Sequence, residues 1–536
     1  MINRQRLQAP RENGAVLIEP PLSQAAGLLA HNRALFETAY NKFWSRSWSE
    51  LRREARQGLL SGDRPSAVST PGSGATDLIL MAGHQPELFH PGVWLKNFVL
   101  FGLARQLGAT PVNLVVDSDI VKTTSIRVPI PSERNLVASR FIEFDEPTTE
   151  RPFEEAEVRN EELFRTFPRR VQESLAAWSI EPCVTTYWNE VLRAAEHSQL
   201  LGERLAAGRR SLEVRWGCHN LEIPVSDLCQ KISFVRFVYE ILGNLARFRE
   251  IYNDCIREYR RRHRVRSRSH PAPELSARNE WLEAPFWVWR KRVGQRQAVW
   301  TRQNDDGFEI QVGDDTDLRI RFARQVSDKQ LLGEWRQLDE RGIRFRTRAL
   351  TTTLYVRLFL ADLFLHGIGG AKYDELTDDI IRRFWELPAP AYLAVSGTLR
   401  LPLPGYAANE YDRQRLLRLL HDLRCNPQRH LPSAIPESAK RLAAEKAAWV
   451  ARQAKNRTQS RERFRKLKEL TRALEPFVAD RKSKINEELA SIEEQLRANH
   501  LVNRRDYAFC LFPEAQLKEF CTPWLQLDQL LCATGT

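Results

Sequence analysis

Apolar and polar positions between residues 75 and 134 follow an order that predicts a strand, a polar turn, a helix and a second strand. The apolar run at residues 78–81 precedes an amphipathic segment that ends near Gly108, and a second apolar run covers residues 111–116. Two parallel strands joined by a helix form a βαβ unit. Ligands of open parallel sheets bind at the carboxyl ends of the strands, so the polar residues after each run are candidates for a site.

Residues 341–435 repeat this pattern. An apolar helix leads into a glycine-rich turn at residues 366–374, a helix follows at 373–384, and residues 390–396 form a further buried strand. We interpret 75–134 and 341–435 as the two halves of one α/β domain with a Rossmann-like parallel sheet core.

The region between the two halves, residues 135–340, is predicted to be an inserted α+β connecting region. Alternating apolar and polar residues within 297–323 favour antiparallel strands. Spacings of three and four residues favour helices in three stretches, the first with a break at Pro168. These stretches are 161–178, 186–205 and 226–262.

The two ends of the chain have different patterns. Residues 1–60 have helical spacing, and residues 61–76 are rich in Ser, Gly and Pro and predict a loop. From 436 to 500 the apolar residues form a sparse stripe with steps of three and four, which predicts two antiparallel helices in a coiled coil. The tail at 501–536 is apolar and is expected to pack on the core. The stripe consists of Phe464, Leu467, Leu470, Leu474, Ile485, Leu489, Ile492 and Leu496.

Composition restricts the classes of partner and compartment. The 536 residues carry a formal net charge of +13, which favours anionic partners such as nucleotides, phosphorylated metabolites or RNA, although a generally arginine-rich composition explains the charge as well. Eight cysteines without a Cys-x-x-Cys spacing indicate reduced thiols and no metal site. The sequence has no signal-peptide pattern and no run of eighteen apolar residues, so we expect a cytoplasmic protein without a membrane span.

The first polar turn carries the residues most suited to catalysis. His84 and His90 lie where a strand passes into a helix, and Lys96 lies one to two turns into that helix. Imidazole and ammonium groups at a helix amino terminus stabilise negative charge that develops on phosphate or oxyanion oxygens. Alternatively, the histidines only cap backbone groups of the turn. The accompanying candidates for ligand binding are Gly83, Gln85 and Gly92.

The second strand of the unit ends in Asp117 and Asp119. Alternate residues of an extended segment point the same way, so both carboxylates can face a ligand and hold an ammonium, a ribose hydroxyl or Mg²⁺. The alternative is that they cap the next turn, because Asp-Ser-Asp is also favourable turn chemistry.

The glycine-rich turn of the second half is the third candidate region. Its glycines allow backbone amides to approach an anion closely, and a basic and an acidic side chain follow them. A helix cap followed by a tight turn would have the same sequence. Arg348, which precedes the apolar helix, can clamp a carboxylate or phosphate. The candidates in the turn are Gly369, Gly370, Lys372, Tyr373 and Asp374.

These residues together resemble the bacillithiol synthase family, the cysteine ligases that add cysteine to glucosaminyl-malate. The family's Gly-Gln-Gln…Leu-Phe…Gly-Pro segment, with a lysine in the next helix, is similar to residues 83–92 with Lys96. Asp117 and Asp119 stand in the place of its acidic cluster. Arg348 and residues 369–373 stand in the place of its Arg-Pro segment and second glycine turn. The resemblance also implies the coiled coil.

Two functions from different classes follow. If the chain follows the resembled family, it is a cytosolic ligase or transferase that joins an amino acid such as cysteine to an amine or sugar conjugate. The sequence does not identify a cofactor; a nucleotide such as ATP and Mg²⁺ are the candidates. The alternative is a non-catalytic RNA- or ribosome-associated protein that uses the basic run at 257–268 and the coiled coil. Pairing of the coil between chains would make a homodimer.

Overall fold

The computed structural model describes residues 7–60, 78–147, 150–312, 315–323, 327–434 and 436–527. The loop expected at 61–76 and the end of the tail after residue 527 lie outside these residues.

The described residues form a mixed α/β structure in which helices predominate. The strands are β1 (Val16–Glu19), β2 (Ile79–His84), β3 (Thr110–Val115), β4 (Ser125–Pro131), β5 (Val137–Glu143), β6 (Leu221–Pro224), β7 (Ala277–Arg278), β8 (Trp281–Arg290), β9 (Gln297–Asn304), β10 (Gly307–Val312), β11 (Asp315–Ala323), β12 (Ile343–Thr347), β13 (Leu363–His366) and β14 (Tyr392–Gly397).

The α-helices connect and cover these strands. They are α1 (Ala25–Thr38), α2 (Trp48–Leu60), α3 (Pro91–Gln106), α4 (Glu161–Leu175), α5 (Val184–Arg193), α6 (Leu201–Arg215), α7 (Val225–Leu228), α8 (Ile232–Gly243), α9 (Leu245–His263), α10 (Asp328–Glu340), α11 (Ala349–Tyr355), α12 (Ile368–Ile380), α13 (Glu410–Cys425), α14 (Glu437–Ala451), α15 (Arg457–Leu474), α16 (Ala479–Val502) and α17 (Glu514–Cys521).

The central sheet has six strands in the order β1-β14-β13-β2-β3-β6. Its last five strands are parallel, and β1 pairs antiparallel with β14 at one edge. Strand β2 therefore lies between β3, the next strand along the chain, and β13, which comes some 280 residues later. The predicted βαβ unit is confirmed as β2, α3 and β3, and the two predicted halves meet at the β2–β13 pair.

Three strands of this sheet were missed by the sequence interpretation. Residues 1–60 contain β1 in addition to helices, and the connecting region contains β6, which pairs with β3. Strand β13 lies where the apolar helix was expected to lead into the glycine-rich turn. All three strands have only four residues, so none is long enough to show an alternating pattern. The expectation of a purely helical amino-terminal segment, of a region separate from the sheet and of a helix before the glycine-rich turn was wrong at these three places.

A second sheet has the order β11-β10-β9-β8-β12, with β7 paired to β8. The connecting region supplies all of these strands except β12, which lies in the stretch 341–435 that was assigned to the second half of the core. These strands are antiparallel, which confirms the alternation within 297–323. The predicted helix break at Pro168 was wrong, because α4 continues through this residue. The long helices expected at 186–205 and 226–262 are each interrupted, the second of them twice.

By internal contacts the chain divides into two compact units. The first comprises Met1–Val128, Phe141–Leu401 and Arg505–Thr536 and contains both large sheets. The second comprises Pro129–Arg140 and Pro402–Arg504 and is mainly helical. The described part of the tail belongs to the first unit, where Phe509, Leu511 and Leu517 are buried.

The carboxyl-terminal stripe packs differently from the predicted pair of helices. Ile485 of α16 is buried with Leu416 and Leu423 of α13, and Leu489 and Ile492 pack against them. The partner of the stripe thus lies earlier in the chain than residue 436. Helices α14 and α15 pack on each other instead, and the turn Glu475–Val478, which contains Pro476, separates α15 from α16.

No helix in the described part of the chain is long and apolar enough to cross a membrane. Of the seven cysteines described, six are buried and all are free thiols; Cys425 is exposed.

Candidate functional site

The carboxyl ends of β2 and β13 lie side by side in the central sheet. Leu365 of β13 pairs in register with Ala82 of β2, and the two strands end shortly afterwards, at His366 and His84. Helix α12, which follows β13, shares an apolar core with Met81 and Phe364. Helix α3, which follows β2, contacts β14, β2 and β3 but contributes no side chain to that core. The chain therefore leaves these neighbouring strands towards opposite faces of the sheet.

His90 is the residue at the amino terminus of α3. Its Nδ1 atom accepts a hydrogen bond from the Gly92 amide at 3.1 Å, as the capping alternative predicted. Burial and the charge of Arg505 lower the pKa of His90 to about 4. Because Nδ1 accepts, the proton of the neutral ring is on Nε2, and Nε2 lies 3.3 Å from the Nη2 atom of Arg505, which also can only donate. Two donors thus lie close together, which favours an acceptor beside both of them.

Arg505 reaches this position from the chain segment that returns to the first unit. Its Nη2 atom donates to the Ser396 hydroxyl at 3.1 Å, at the end of β14. Its buried Nη1 atom has no hydrogen-bond partner among the described residues, and burial lowers the pKa of the guanidinium. The sequence interpretation missed Arg505, which is 415 positions from His90 and lies in a segment without a motif.

Lys96 is the most unusual charged group of the site. Only 3% of the residue is exposed, and its Nζ atom donates to the Gly83 carbonyl at 2.6 Å. Within the described part of the chain, no carboxylate lies within 4.0 Å of this ammonium. Burial and the charge of Arg209 lower the pKa of Lys96 to about 8. A buried ammonium is normally paired with an anion, so this one lacks its counter-ion.

His84 ends β2 beside this lysine. Burial and the charge of Lys96 lower the pKa of His84 to about 3, so the ring is neutral at pH 7. Its Nδ1 atom lies 3.2 Å from the Gln85 carbonyl and 3.9 Å from a carboxylate oxygen of Glu87. The first polar turn therefore brings together the three residues proposed for catalysis, His84, His90 and Lys96, and holds both imidazoles neutral.

The two glycines of this turn have packing roles. A Cβ atom on Gly83 would lie 2.9 Å from the Cβ of Leu114 in β3, and one on Gly92 would lie 2.0 Å from the carbonyl oxygen of Gly397 in β14. Both positions require glycine because other strands approach closely. Helix α3 can begin directly against the end of β14 for this reason, and the role expected for these glycines in approaching a ligand is not needed to explain them.

Asp119 and Gln85 bind each other. The Gln85 amide nitrogen donates to Asp119 Oδ2 at 2.8 Å, and Arg296 Nη1 lies 3.0 Å from Oδ1. Arg296 also lies over the Trp287 ring, 5.0 Å from its centroid. Lys122 Nζ also lies 3.9 Å from Oδ2. The carboxylate that was expected to bind a ligand thus already has three side-chain partners, and it ties the first turn to the connecting region.

Asp117 faces a different part of the fold. One of its oxygens accepts a hydrogen bond from the Ser226 amide at 3.0 Å and the other accepts from the Ser226 hydroxyl, so Asp117 caps the short helix α7. Asp117 therefore has a capping role, as the alternative expected. The turn that it caps lies 109 residues away and is not the next turn in the chain. Burial and the nearby charge of Glu154 raise the pKa of Asp117 to about 7. Glu154 itself is held by Arg346, at 2.7 and 2.9 Å.

The glycine-rich turn forms the amino terminus of α12. Gly367 precedes the helix, and Gly369 and Gly370 lie in its first turn. The Tyr373 hydroxyl lies 3.0 Å from Nε2 of His270, and the backbone carbonyl of Lys372 accepts a hydrogen bond from Tyr259 at 3.3 Å. The tight turn expected after a helix is wrong here, because the glycines start a helix after a strand. This is the place at which a helix amino terminus can face an anion.

Asp374, expected to bind a ligand hydroxyl, is instead buried in an ion-pair network. Burial raises the pKa of Asp374, but the charges of Arg357 and His366 outweigh burial and hold this pKa well below its usual range. His366 Nε2 lies 2.8 Å from Asp374 Oδ2, and Arg357 binds the same oxygen. Arg357 also donates to Asp378 at 2.6 Å. The carboxylate is fully engaged by these partners.

His366 ends β13 and was not predicted to be a site residue. Because ionised Asp374 can only accept a hydrogen bond, Nε2 of His366 is the donor in this contact. A Cβ atom on Gly370 would lie 2.8 Å from Nδ1 of the same ring, so glycine is required for the ring to take this position. The signal in the sequence was a histidine at a strand end with an aspartate eight residues later.

The guanidinium of Arg348 is engaged by other residues and is not free to bind a ligand at the carboxyl edge of the sheet. Its Nη2 atom donates to Glu283 at 2.7 Å, its Nε atom donates to the Phe286 carbonyl at 3.2 Å, and the guanidinium lies 4.2 Å from the centroid of the Trp287 ring. These contacts join α11 to β8, so the expected contact with a ligand is replaced by a structural one.

The arrangement at the carboxyl edge consists of cationic and donor groups. Lys96, Arg505 and the Nε2–H of neutral His90 can each donate to an anion, and no group of three or more metal-ligating side chains occurs among the residues described. Such a set suits phosphate or carboxylate oxygens. Comparison with known protein families and with curated proteins found no match to this chain.

Proposed function

We propose that this chain is a ligase- or transferase-like enzyme that binds a nucleotide or another phosphorylated or acidic small molecule at the carboxyl edge of its central sheet. The anion would lie at the amino terminus of α3, held by Lys96, His90 and Arg505. The observation that carries the proposal is the buried ammonium of Lys96, which has a single backbone hydrogen bond and no carboxylate partner in the described chain.

The strand order of the central sheet supports a ligand site at this position. Counted along the chain, the five parallel strands have the order 3-2-1-4-5, with β2 as the first and β13 as the fourth. This is the strand order of a Rossmann-like core, in which ligands bind where the direction of winding changes. The change occurs between β2 and β13, and Lys96 donates to Gly83 at that point.

Electrostatics support an anion over a neutral ligand. Moving an ammonium from water into a protein interior costs several kcal/mol unless a counter-charge is present. The depressed pKa values of Lys96, His84 and His90 all have burial as their main cause. A bound phosphate or carboxylate would offset that cost and strengthen each hydrogen bond at low local dielectric.

The class of reaction is proposed from the resemblance to bacillithiol synthase. In that reading, the anion site holds the phosphate of an amino acid, such as cysteine, whose carboxyl group has been activated as an acyl phosphate by ATP. The amine of a sugar conjugate or similar acceptor attacks the acyl carbon, the C–N bond forms, the C–O bond to the phosphate breaks, and the phosphate leaves while the amine loses a proton to water. Lys96 and His90 would stabilise negative charge as the C–N bond forms. His84 is neutral at pH 7, so it is suited to donate or accept a hydrogen bond rather than to supply charge.

Calorimetric titration with ATP and with inorganic phosphate tests the anion site. We expect Lys96→Met to weaken binding of both by at least tenfold, because a charge-assisted hydrogen bond in a buried site is lost. Lys482→Met removes the same charge from an exposed position of α16 and should change binding less than twofold. Equal affinity of the parent and the Lys96→Met variant would end the proposal.

The reaction class needs a separate assay. The parent protein is incubated with ATP, Mg²⁺, a mixture of amino acids and an amino-sugar acceptor, and the products are identified by mass spectrometry. We expect a new amide whose formation is abolished in Lys96→Met and retained in Lys482→Met. If the protein binds the anion but forms no amide product, the ligase assignment is refuted and only a binding function is supported.

A further inference from the structure

The positive charge of the chain is concentrated in one helical hairpin of the second unit. Residues 436–474, which contain α14 and α15, hold twelve Lys and Arg against four Asp and Glu, a net charge of +8 out of +13 for the whole chain. Helix α16, at 479–502, is close to neutral by comparison, with four basic and five acidic residues. We call residues 436–474 the basic hairpin. Its charge is therefore a local property and not the general composition of the helices.

The tip of the basic hairpin is open to solvent and its cations are unpaired. Every residue from 451 to 461 is exposed, and this stretch connects α14 to α15. Within the described chain, no carboxylate lies within 4.0 Å of the side chains of Lys455, Arg457 or Arg461. Further along α15, Arg465 and Lys468 are also exposed and also lack such a partner. These five charges repel one another, and the fold leaves them uncompensated.

An exposed aromatic ring lies among these cations. Phe464 has 69% of its surface exposed, although Leu470 and Leu474, further along the same stripe of α15, are buried. Arg461 and Lys468 are three residues before and four residues after Phe464, so all three share one face of the helix. A ring flanked by two cations at this spacing is the combination that binds a base and its neighbouring phosphates.

The other basic run of the chain, at 257–268, is different. Arg257 pairs with Asp254 and Glu274, and Arg260 also pairs with Glu274. Arg262 and His263 both bind Glu375. Acidic residues of the same unit thus pair with Arg257, Arg260 and Arg262 of α9, which gives these arginines a structural role. Three exposed arginines beyond the helix serve as a control. They are Arg264, Arg266 and Arg268.

We propose that the basic hairpin binds single-stranded nucleic acid, with the phosphates on Lys455, Arg457, Arg461 and Lys468 and a base stacked on Phe464. A second copy of the chain is disfavoured as the occupant, because two surfaces of net charge +8 repel. A polyanion with flat aromatic groups satisfies both the charge and the exposed ring. This site belongs to the second unit and is independent of the proposed enzymatic function.

Fluorescence anisotropy with a labelled twenty-nucleotide single strand tests the proposal on the full chain. The tip variant Lys455→Gln/Arg457→Gln/Arg461→Gln should bind at least tenfold more weakly at 100 mM salt. Each lost phosphate contact lowers the slope of log K against log salt by roughly 0.7 for a single strand, so we expect the slope to fall by about 2. The matched control is Arg264→Gln/Arg266→Gln/Arg268→Gln, which removes the same charge and should change affinity less than twofold.

Phe464→Ala separates stacking from charge. We expect about tenfold weaker binding with an unchanged salt slope, because a stacked base is lost while the phosphate contacts remain. RNA and DNA of the same sequence, run in parallel, show which sugar is preferred. All substituted positions are exposed, and circular dichroism checks that each variant is folded.

Three results would overturn the proposal. One is the absence of binding by the parent protein at 50 mM salt. Another is a larger loss in the control triple variant than in the tip variant, which would move the contact to the run at 257–268. The third is binding of a polyglutamate peptide as tight as that of the nucleic acid, because a general polyanion surface needs no stacked base.

Discussion

The Nζ atom of Lys96 lies 2.6 Å from the carbonyl oxygen of Gly83, so the first helix after β2 is tied back to the end of that strand. Lys96 is buried, and its other two N–H donors have no acceptor among the described residues. A hydrogen bond to one carbonyl stabilises by about 1 kcal/mol and does not replace an anionic partner. The residue is therefore expected to be unfavourable for stability and to be retained for binding.

Lys96→Met should make the protein more stable at pH 7, by about 2 kcal/mol. Burial lowers the pKa of Lys96 from 10.5 to about 8, which destabilises the protonated folded state by about 3 kcal/mol. The hydrogen bond that the variant loses reduces its gain in stability to about 2 kcal/mol. Between pH 8 and 10.5 the unfolded chain binds more protons than the folded one, so parent stability rises with pH. The advantage of the variant should shrink over that range. Urea unfolding at pH 7 and 10 measures it; a variant less stable than the parent at pH 7 would indicate a paired lysine.

Anion affinity should fall at alkaline pH and be nearly constant around neutrality. Sulfate is the suitable probe, because its own charge is unchanged from pH 5 to 10. Above pH 8 the ammonium of Lys96 loses its proton, and we expect sulfate binding to weaken at least tenfold between pH 7 and 9.5. The pKa values of His84 and His90, lowered by burial to about 3 and about 4, predict no further change from pH 7 down to 6. Calorimetry at these pH values tests this, and in Lys96→Met the alkaline decrease should disappear.

The sheet was predictable from sequence where its strands were long enough to show a pattern. Strands β2 and β3, with six residues each, lie at apolar runs that end in polar residues. In β10, apolar and polar residues alternate. The four-residue strands β1, β6 and β13 have no such signal. Their places are set by pairing with strands far away in sequence, as for Val16 with Gly397.

The candidate site was predictable only as far as its local turns. His84, His90 and Lys96 lie within thirteen residues, and the strand–helix pattern brings them together. Arg505 reaches His90 from another part of the chain. The partners of Asp119 and Arg348, namely Arg296 and Glu283, are also distant in sequence. Whether a carboxylate or guanidinium is free or engaged depends on such tertiary contacts, which spacing does not show.

Gly370→Ala should destabilise the protein, whereas Gly369→Ala should not. A Cβ atom on Gly370 would lie 2.8 Å from Nδ1 of His366, but one on Gly369 would have no atom within 4 Å. Both residues are in the first turn of α12, where alanine is otherwise favoured over glycine by about 0.5–1 kcal/mol. We expect a loss of about 1–3 kcal/mol for Gly370→Ala, because the buried His366–Asp374 contact must shift, and a neutral or small stabilising effect for Gly369→Ala.

Urea unfolding of both glycine variants gives these differences directly. The imidazole resonances of His366 provide a second readout, since they should move in Gly370→Ala and stay unchanged in Gly369→Ala. Equal stability of the two variants would mean that the ring of His366 is not confined by the start of α12.

Asp117→Asn should gain stability over the parent as the pH rises. Burial and the charge of Glu154 raise the pKa of Asp117 from 3.8 to about 7. Between these values the folded protein binds more protons at this residue than the unfolded chain, so the parent loses stability as pH rises through about 7. The free energy of unfolding that the parent loses in this way is about 4 kcal/mol. The asparagine variant does not lose it, because its side chain has no proton to lose.

The comparison is made by urea unfolding of parent and Asp117→Asn at pH 4.5, 6 and 8. At pH 4.5 the two should differ least, because Asp117 is protonated and an amide can still accept from the Ser226 amide. By pH 8 the variant should be ahead by several kcal/mol. Asp306→Asn, at an exposed position in the turn between β9 and β10, should change stability by less than about 0.5 kcal/mol at every pH. A gap for Asp117→Asn that stays constant with pH would mean that the carboxyl group ionises as it does in water, and that Glu154, held by Arg346, exerts no charge on it.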